Sequence, residues 1–117
     1  MDLPTLSSAA SEPSSRPRSR VPRAALARRR QDFRALHERG CFVIPNPWDV
    51  GSARYLQYLG FPALATTSAG FAFSQGLPDS ASDNVLARDR NLAYIADIAA
   101  AVDVPVSADF MSTCIRK

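Results

Sequence analysis

The chain has only two cysteines, Cys41 and Cys114, and one histidine in 117 residues. Two cysteines this far apart, with no C-x-x-C spacing, exclude a disulfide framework and a cysteine-rich zinc module. No apolar run approaches the roughly 18 to 20 residues that cross a bilayer, which excludes a transmembrane helix. The N-terminus has no continuous apolar stretch of the kind a secretory signal needs. The lone histidine, His37, lies between Leu36 and Glu38 with no partner pattern and reads as a surface or boundary residue. Composition is 46% hydrophobic and 21% charged, which fits one modest globular domain rather than a disordered chain.

The net charge of +3 is unevenly distributed. Residues 1–30 hold seven arginines against Asp2 and Glu12, a local +5, so residues 31–117 carry −2. Residues 1–22 also contain Pro4, Pro13, Pro17, Pro22 and six serines, with few large apolar side chains. Such a segment cannot bury enough surface to offset the entropy of ordering, so it is expected to be a disordered basic tail. An arginine- and serine-rich, acid-poor start suits a transit peptide, and clustered arginines suit phosphates. An ordinary N-terminal extension is the favoured reading, because no aromatics interleave the arginines and no nucleic-acid fold follows. Neither a membrane nor a nucleic acid is therefore expected as a partner. The expected location is the cytoplasm, with organellar targeting as the alternative.

From Arg23 onward helical and strand patterns alternate. Ala24 to Arg39 reads as a helix with Leu26, Phe33 and Leu36 on one face and Gly40 as its stop. Cys41 to Ile44 is a short apolar run ended by Pro45-Asn46-Pro47, the pattern of a strand covered on both faces, with Cys41 as a buried, inert thiol. Asp49 is placed to cap a helix from Val50 to Leu59, stopped by Gly60. Ala63 to Thr66 is the next expected strand and leads into the turn Thr67-Ser68-Ala69-Gly70 and a longer loop. A third helix is expected from about Asp83 to Val102, where Val85, Leu92, Ile95, Ala99 and Val102 recur at helical steps. Val104 to Phe110 is the third expected strand, with Pro105 tolerated only near its start. This order predicts an α/β fold with parallel strands and crossover helices. Polar residues follow each strand: Asn46 to Asp49, Thr67 to Gly70, and Asp109. In parallel α/β folds the carboxyl ends of the strands lie on one side, where loops build a site. Taken alone, the small residues at 67–69 are equally an anion-binding nest of backbone N–H groups or a tight strand-to-helix turn. A lone Asp109 at a strand end is commonly a turn or cap residue, and Asp79 after Pro78 is equally a turn residue.

Phe42 to Ala53, Leu64 to Gly70, Gly76-Leu77-Pro78-Asp79 and Ser107 to Phe110, in this order, resemble the isocitrate lyase/phosphoenolpyruvate mutase superfamily. The resemblance is to its 2-methylisocitrate lyase-like or carboxyvinyl-carboxyphosphonate phosphorylmutase-like branch. It implies the first three βα units of a (β/α)₈ TIM barrel over residues 23–110. It also implies a lyase that makes or breaks C–C or P–C bonds of small 2-oxo or 2-hydroxy carboxylic acids through an enolate. Thr67, Ser68 and Ala69 would bind the substrate carboxylate or phosphonate. Asp109 would be the metal ligand, Asp79 an outer-shell carboxylate, and Mg²⁺ the cofactor, with Mn²⁺ as the alternative. Full-length relatives are homo-oligomers.

The pattern also departs from the family. Ser107 stands where the fuller acid-x-acid metal motif has its first carboxylate. Residues 111–117 do not continue the family pattern, and the lysine-cysteine-glycine-histidine loop that carries the lyase base has no counterpart. A barrel of this type needs about 250 residues. The chain is accordingly expected to be a truncated or frameshifted N-terminal fragment with no catalytic residue of its own and no turnover. An interaction module driven by the arginine tail is the alternative.

Overall fold

Caps set where the helices of this chain begin and end. The computed structural model describes residues 20–79 and 85–109. Its first helix, α1 (Arg23–Leu36), starts after Pro22, whose carbonyl accepts from the Leu26 N–H at 3.0 Å. Proline is suited to this place because its fixed φ precedes the first turn and no N–H is needed there. Helix α2 (Val50–Tyr58) starts with a capping box: the Ser52 N–H donates to Asp49 Oδ1 at 2.6 Å, and the Asp49 N–H donates to Ser52 Oγ at 3.1 Å. It ends in a Schellman motif, in which Gly60, at φ 89°, lets the Gly60 and Phe61 N–H groups turn back to the Gln57 and Leu56 carbonyls. The start at Asp49 and the stop at Gly60 agree with the sequence reading.

Strand β1 (Leu64–Ala65) is followed by a short helix, α3 (Ser68–Ser74), then by the long helix α4 (Val85–Ala101) and strand β2 (Val106–Ser107). The two strands pair in parallel, Leu64 opposite Val106 and Ala65 opposite Ser107. The expected strand at Cys41 to Ile44 forms no ladder. Its segment runs beside β1 with one backbone bond, from the Ala65 N–H to the Pro45 carbonyl at 3.1 Å. Pro45 and Pro47 lack the N–H groups that would extend the pairing, and Cys41, expected buried, is exposed. The expected loop after Gly70 is instead helical as α3, and its seven residues are too few to display a period. Residues 1–19, the start of the third expected helix, and residues 110–117 lie outside the described residues.

The core lies between α2, β1 and α4. Ala53, Leu64, Ile98 and Val102 are buried together, with Leu56, Phe61, Tyr94, Val104 and Val106 packed against them. Full burial of a side chain such as Leu64 or Ile98 contributes about 1.5–3 kcal/mol. Side chains extend the ties beyond the core: Gln57 Oε1 accepts from the Asp103 N–H at 2.6 Å, joining α2 to the turn before β2. Asn91, on α4, is 3% exposed, and neither atom of its amide has a hydrogen-bond partner among the described residues.

Helix α1 is held by one of its arginines. Arg29 Nη1 donates to the Ala99 carbonyl at 2.7 Å and Nη2 to the Val102 carbonyl at 2.6 Å. The Ala99 carbonyl is in the last turn of α4 and Val102 follows its end, so both oxygens lack an intrahelical partner and lie at the negative end of the helix dipole. The Arg29 side chain is 15% exposed. Replacing it with alanine is expected to lower stability by about 2 kcal/mol in urea unfolding, since two charge-assisted bonds are lost. Lysine should recover less than half of that, because an ammonium group cannot fork to both carbonyls. An unchanged urea midpoint for Arg29→Ala would remove this contact from the stabilising set. A second outcome concerns acid. The Ser52 N–H and hydroxyl hold the Asp49 carboxyl below its ordinary 3.8. A lowered value means that the cap contributes fully above that pH and loses its contribution as pH falls through the folded value. Helical circular dichroism should therefore decline in strong acid less steeply for Asp49→Asn, which caps without titrating.

Candidate functional site

Three segments that follow extended chain meet at one end of the sheet. From the first, Asn46 Nδ2 donates to the Ala65 carbonyl at 3.1 Å and lies 3.4 Å from the Thr66 carbonyl. From the second, Thr66 is buried and its N–H continues the ladder to the Ser107 carbonyl at 2.9 Å. From the third, the Asp109 N–H donates to Thr66 Oγ1 at 2.9 Å. The Asp109 carboxylate then reaches across to the start of α3, where Oδ2 accepts from the Ser68 N–H at 3.0 Å and from Ser68 Oγ at 2.9 Å. A carboxylate at the first turn of a helix meets donors with no intrahelical partner.

The sequence candidates are brought together unequally. Ser68 and Asp109, 41 residues apart, are in direct contact. Thr67 caps α3, its Oγ1 accepting from the Gly70 N–H at 3.1 Å. Ala69 follows within the same first turn. Asp79 stands exposed in the turn after Pro78, with no recorded bond to Asp109 or Ser68. No group of three or more His, Cys, Asp and Glu side chains gathers among the described residues. Thr66 and Asn46 are site residues that sequence reasoning did not single out for a role. A threonine closing the apolar run Ala63-Leu64-Ala65 was the available signal for the first.

Trp48 and Tyr94 brace this end of the fold. The Tyr94 hydroxyl donates to the Pro47 carbonyl at 2.8 Å, and its ring packs on Phe71 with centroids 4.8 Å apart. Burial pushes the Tyr94 hydroxyl above its ordinary 10.0; the Thr67 backbone N–H works against that shift, and the Asp49 charge adds to it. The Trp48 indole lies against Gly70, where an added Cβ would come within 2.8 Å of Nε1 and 2.6 Å of Thr67 Cγ2. Trp48, Phe71, Tyr94 and Arg90 border a groove of about 570 Å³ that includes neither Ser68 nor Asp109, so the groove and the carboxylate are separate features.

The family profile described as phosphoenolpyruvate phosphomutase matches residues 33–114 of this chain. The chain belongs to that family. The matched span contains Trp48, the Thr67–Gly70 turn, Asp79 and Asp109, and it runs past Phe110 into residues 111–114, which the sequence reading left outside the family pattern. The chain is also similar to a crystal structure from Burkholderia cenocepacia J2315 whose own lyase/mutase assignment is provisional. The chain is 59% identical to it, with a TM-score of 0.66, covering 73% of this chain and 30% of that one. Uncharacterized proteins of Mycobacterium tuberculosis strains CDC 1551 and H37Rv are each 46% identical over 70 residues, 57% of this chain. The chain spans 25% of the length of these curated relatives. At the level these likenesses carry, it is a member of a lyase/mutase-type enzyme family with a mixed α/β fold.

Gly70 is the position where this family turn admits the indole. Gly70→Ala is expected to push Trp48 off α3, shifting the emission of the chain's single tryptophan and lowering stability by about 1–3 kcal/mol. An unaltered emission spectrum would mean that the indole does not depend on this close approach.

Proposed function

We propose that this chain carries part of the active site of a lyase or mutase that acts on small 2-oxo or 2-hydroxy carboxylic acids through an enolate, breaking or making a C–C or P–C bond. In this reading the α/β unit is three βα units of a (β/α)₈ barrel, and its polar end is the barrel's catalytic face. The observation that carries it is the contact of the Asp109 carboxylate with Ser68, bridging the two strand ends within the family-matched span.

Each residue has a role. Thr67, Ser68 and Ala69 form the small-residue turn that faces the anionic end of the substrate. Asp109 is the metal carboxylate, and Asp79 is an outer-shell carboxylate in the neighbouring loop. The donor set fits a hard divalent cation: Mg²⁺ is commonly held by one or two carboxylates with several waters. Asp109 is exposed, and its Oδ1 takes no hydrogen bond from a described residue. Mg²⁺, or Mn²⁺ in its stead, would supply Lewis-acid polarisation of the 2-oxo group and charge stabilisation of the enolate. The chain's own contribution is to fix the carboxylate and to surround the substrate's charged end with small, close-approaching residues. In the wider reading the whole enzyme is a homo-oligomer, and the acid–base groups come from its other parts.

The reading predicts binding without turnover for residues 1–117 alone. Titration with Mn²⁺ followed by electron paramagnetic resonance should show saturable binding that Asp109→Asn weakens at least tenfold. Oxaloacetate and 2-methylisocitrate should remain unconverted. Equal Mn²⁺ affinity in the chain and in Asp109→Asn would refute the assignment of Asp109.

A further inference from the structure

The contact between Ser68 and Asp109 has a direction that the family role of the turn does not supply. Both donors of Ser68, its N–H and its hydroxyl, converge on the same oxygen of Asp109, at 3.0 and 2.9 Å. The backbone of Asp109 is fixed independently by Thr66, whose buried hydroxyl accepts the Asp109 N–H at 2.9 Å. An aspartate at an exposed strand end would otherwise sample several rotamers. Here one oxygen is held by two donors, and the other, Oδ1, is left without a partner among the described residues. That is how outer-shell groups orient a ligating carboxylate. A substrate carboxylate seeking the same two donors would have to displace Asp109, and it would then lie beside a like charge.

We infer that Ser68 is a positioning residue for Asp109, which presents the free carboxylate oxygen to a divalent cation, rather than a direct donor to the substrate. Thr66 supports it by fixing the backbone from which that side chain springs. This rests on the proposed metal role of Asp109 and refines what one residue of the small-residue turn does. Thr67 lies outside this arrangement, because its Oγ1 is engaged with the Gly70 N–H.

The test separates metal from anion. Mn²⁺ affinity is measured by electron paramagnetic resonance for the full chain, Ser68→Ala, Ser68→Thr and Asp109→Asn. Oxalate, a planar dianion resembling an enolate, is titrated by calorimetry into each. Ser68→Ala should weaken Mn²⁺ binding about tenfold, the lower end for loss of an outer-shell partner, since the Ser68 N–H remains. Ser68→Thr, which keeps the hydroxyl, should restore it. Oxalate affinity at saturating Mn²⁺ should change by less than about twofold, a margin below the tenfold expected for the metal. Thermal unfolding of each variant identifies any loss that comes from misfolding, which threonine would not rescue at the metal alone. If Ser68→Ala leaves Mn²⁺ binding intact and weakens oxalate, Ser68 is a substrate donor and the inference is overturned. If Asp109→Asn also leaves Mn²⁺ binding intact, or the full chain binds no Mn²⁺, the metal reading of Asp109 fails and this inference fails with it.

Discussion

The hydrogen bond from the Asp109 N–H to the buried Thr66 hydroxyl governs how the two strand ends relate to each other. The regular ladder is only two residues long on each side. Beyond it, the Thr66 N–H still reaches the Ser107 carbonyl, and then the backbone of the second strand turns toward a side chain instead of another strand. A hydroxyl that substitutes for a ladder partner satisfies a donor that would otherwise be lost at the sheet edge. It also sets the point from which the Asp109 side chain departs. The small sheet and the candidate site are therefore one piece of hydrogen-bond accounting: the groups that end the pairing begin the polar cluster.

Around this sheet α2 and α4 pack through their faces, and the helix ends add a second set of ties. The capping box at Asp49 and the Schellman turn at Gly60 define α2, and α3 ends in the same way, with the Gly76 and Leu77 N–H groups returning to the Phe73 and Ala72 carbonyls. Helix α1 has no buried residue and is tied to the rest through the Arg29 guanidinium. These ties use a few polar side chains, Asp49, Ser52 and Arg29, and the glycines Gly60 and Gly76. Such ends tolerate change poorly where a cap or a carbonyl partner is removed and tolerate it well along exposed faces.

Local chemistry and the parallel sense of the two strands were legible in the sequence, and the side-chain contacts across their ends were not. Asp49 and Gly60 bracketed α2 because caps act within a few residues of the position they define. Helix α3 escaped notice because Thr67-Ser68-Ala69-Gly70 reads equally as a turn, and four further residues add no period. The run at Cys41 to Ile44 has the composition of a covered strand, yet the prolines that follow it deny the ladder its donors. Ser68 and Asp109 were each singled out, for different roles. Nothing in their spacing told that one would hold the other across 41 residues. Thr66 was hidden by its surroundings, since a threonine in an apolar run looks like an ordinary β-former. The phosphoenolpyruvate phosphomutase resemblance read from short motifs holds over residues 33–114.

Arg29 also alters how the basic end of this chain should be counted. Its guanidinium is occupied by two carbonyls at the C-terminal end of α4, and Arg28 faces Asp32 one turn along at 4.0 Å. Affinity for a polyanion grows with the number of counterions its partner displaces, and each engaged cation contributes to the salt slope. An arginine already bound to backbone oxygens releases none. A slope of log K against log salt computed from all seven N-terminal arginines would be too steep by at least the share of Arg29.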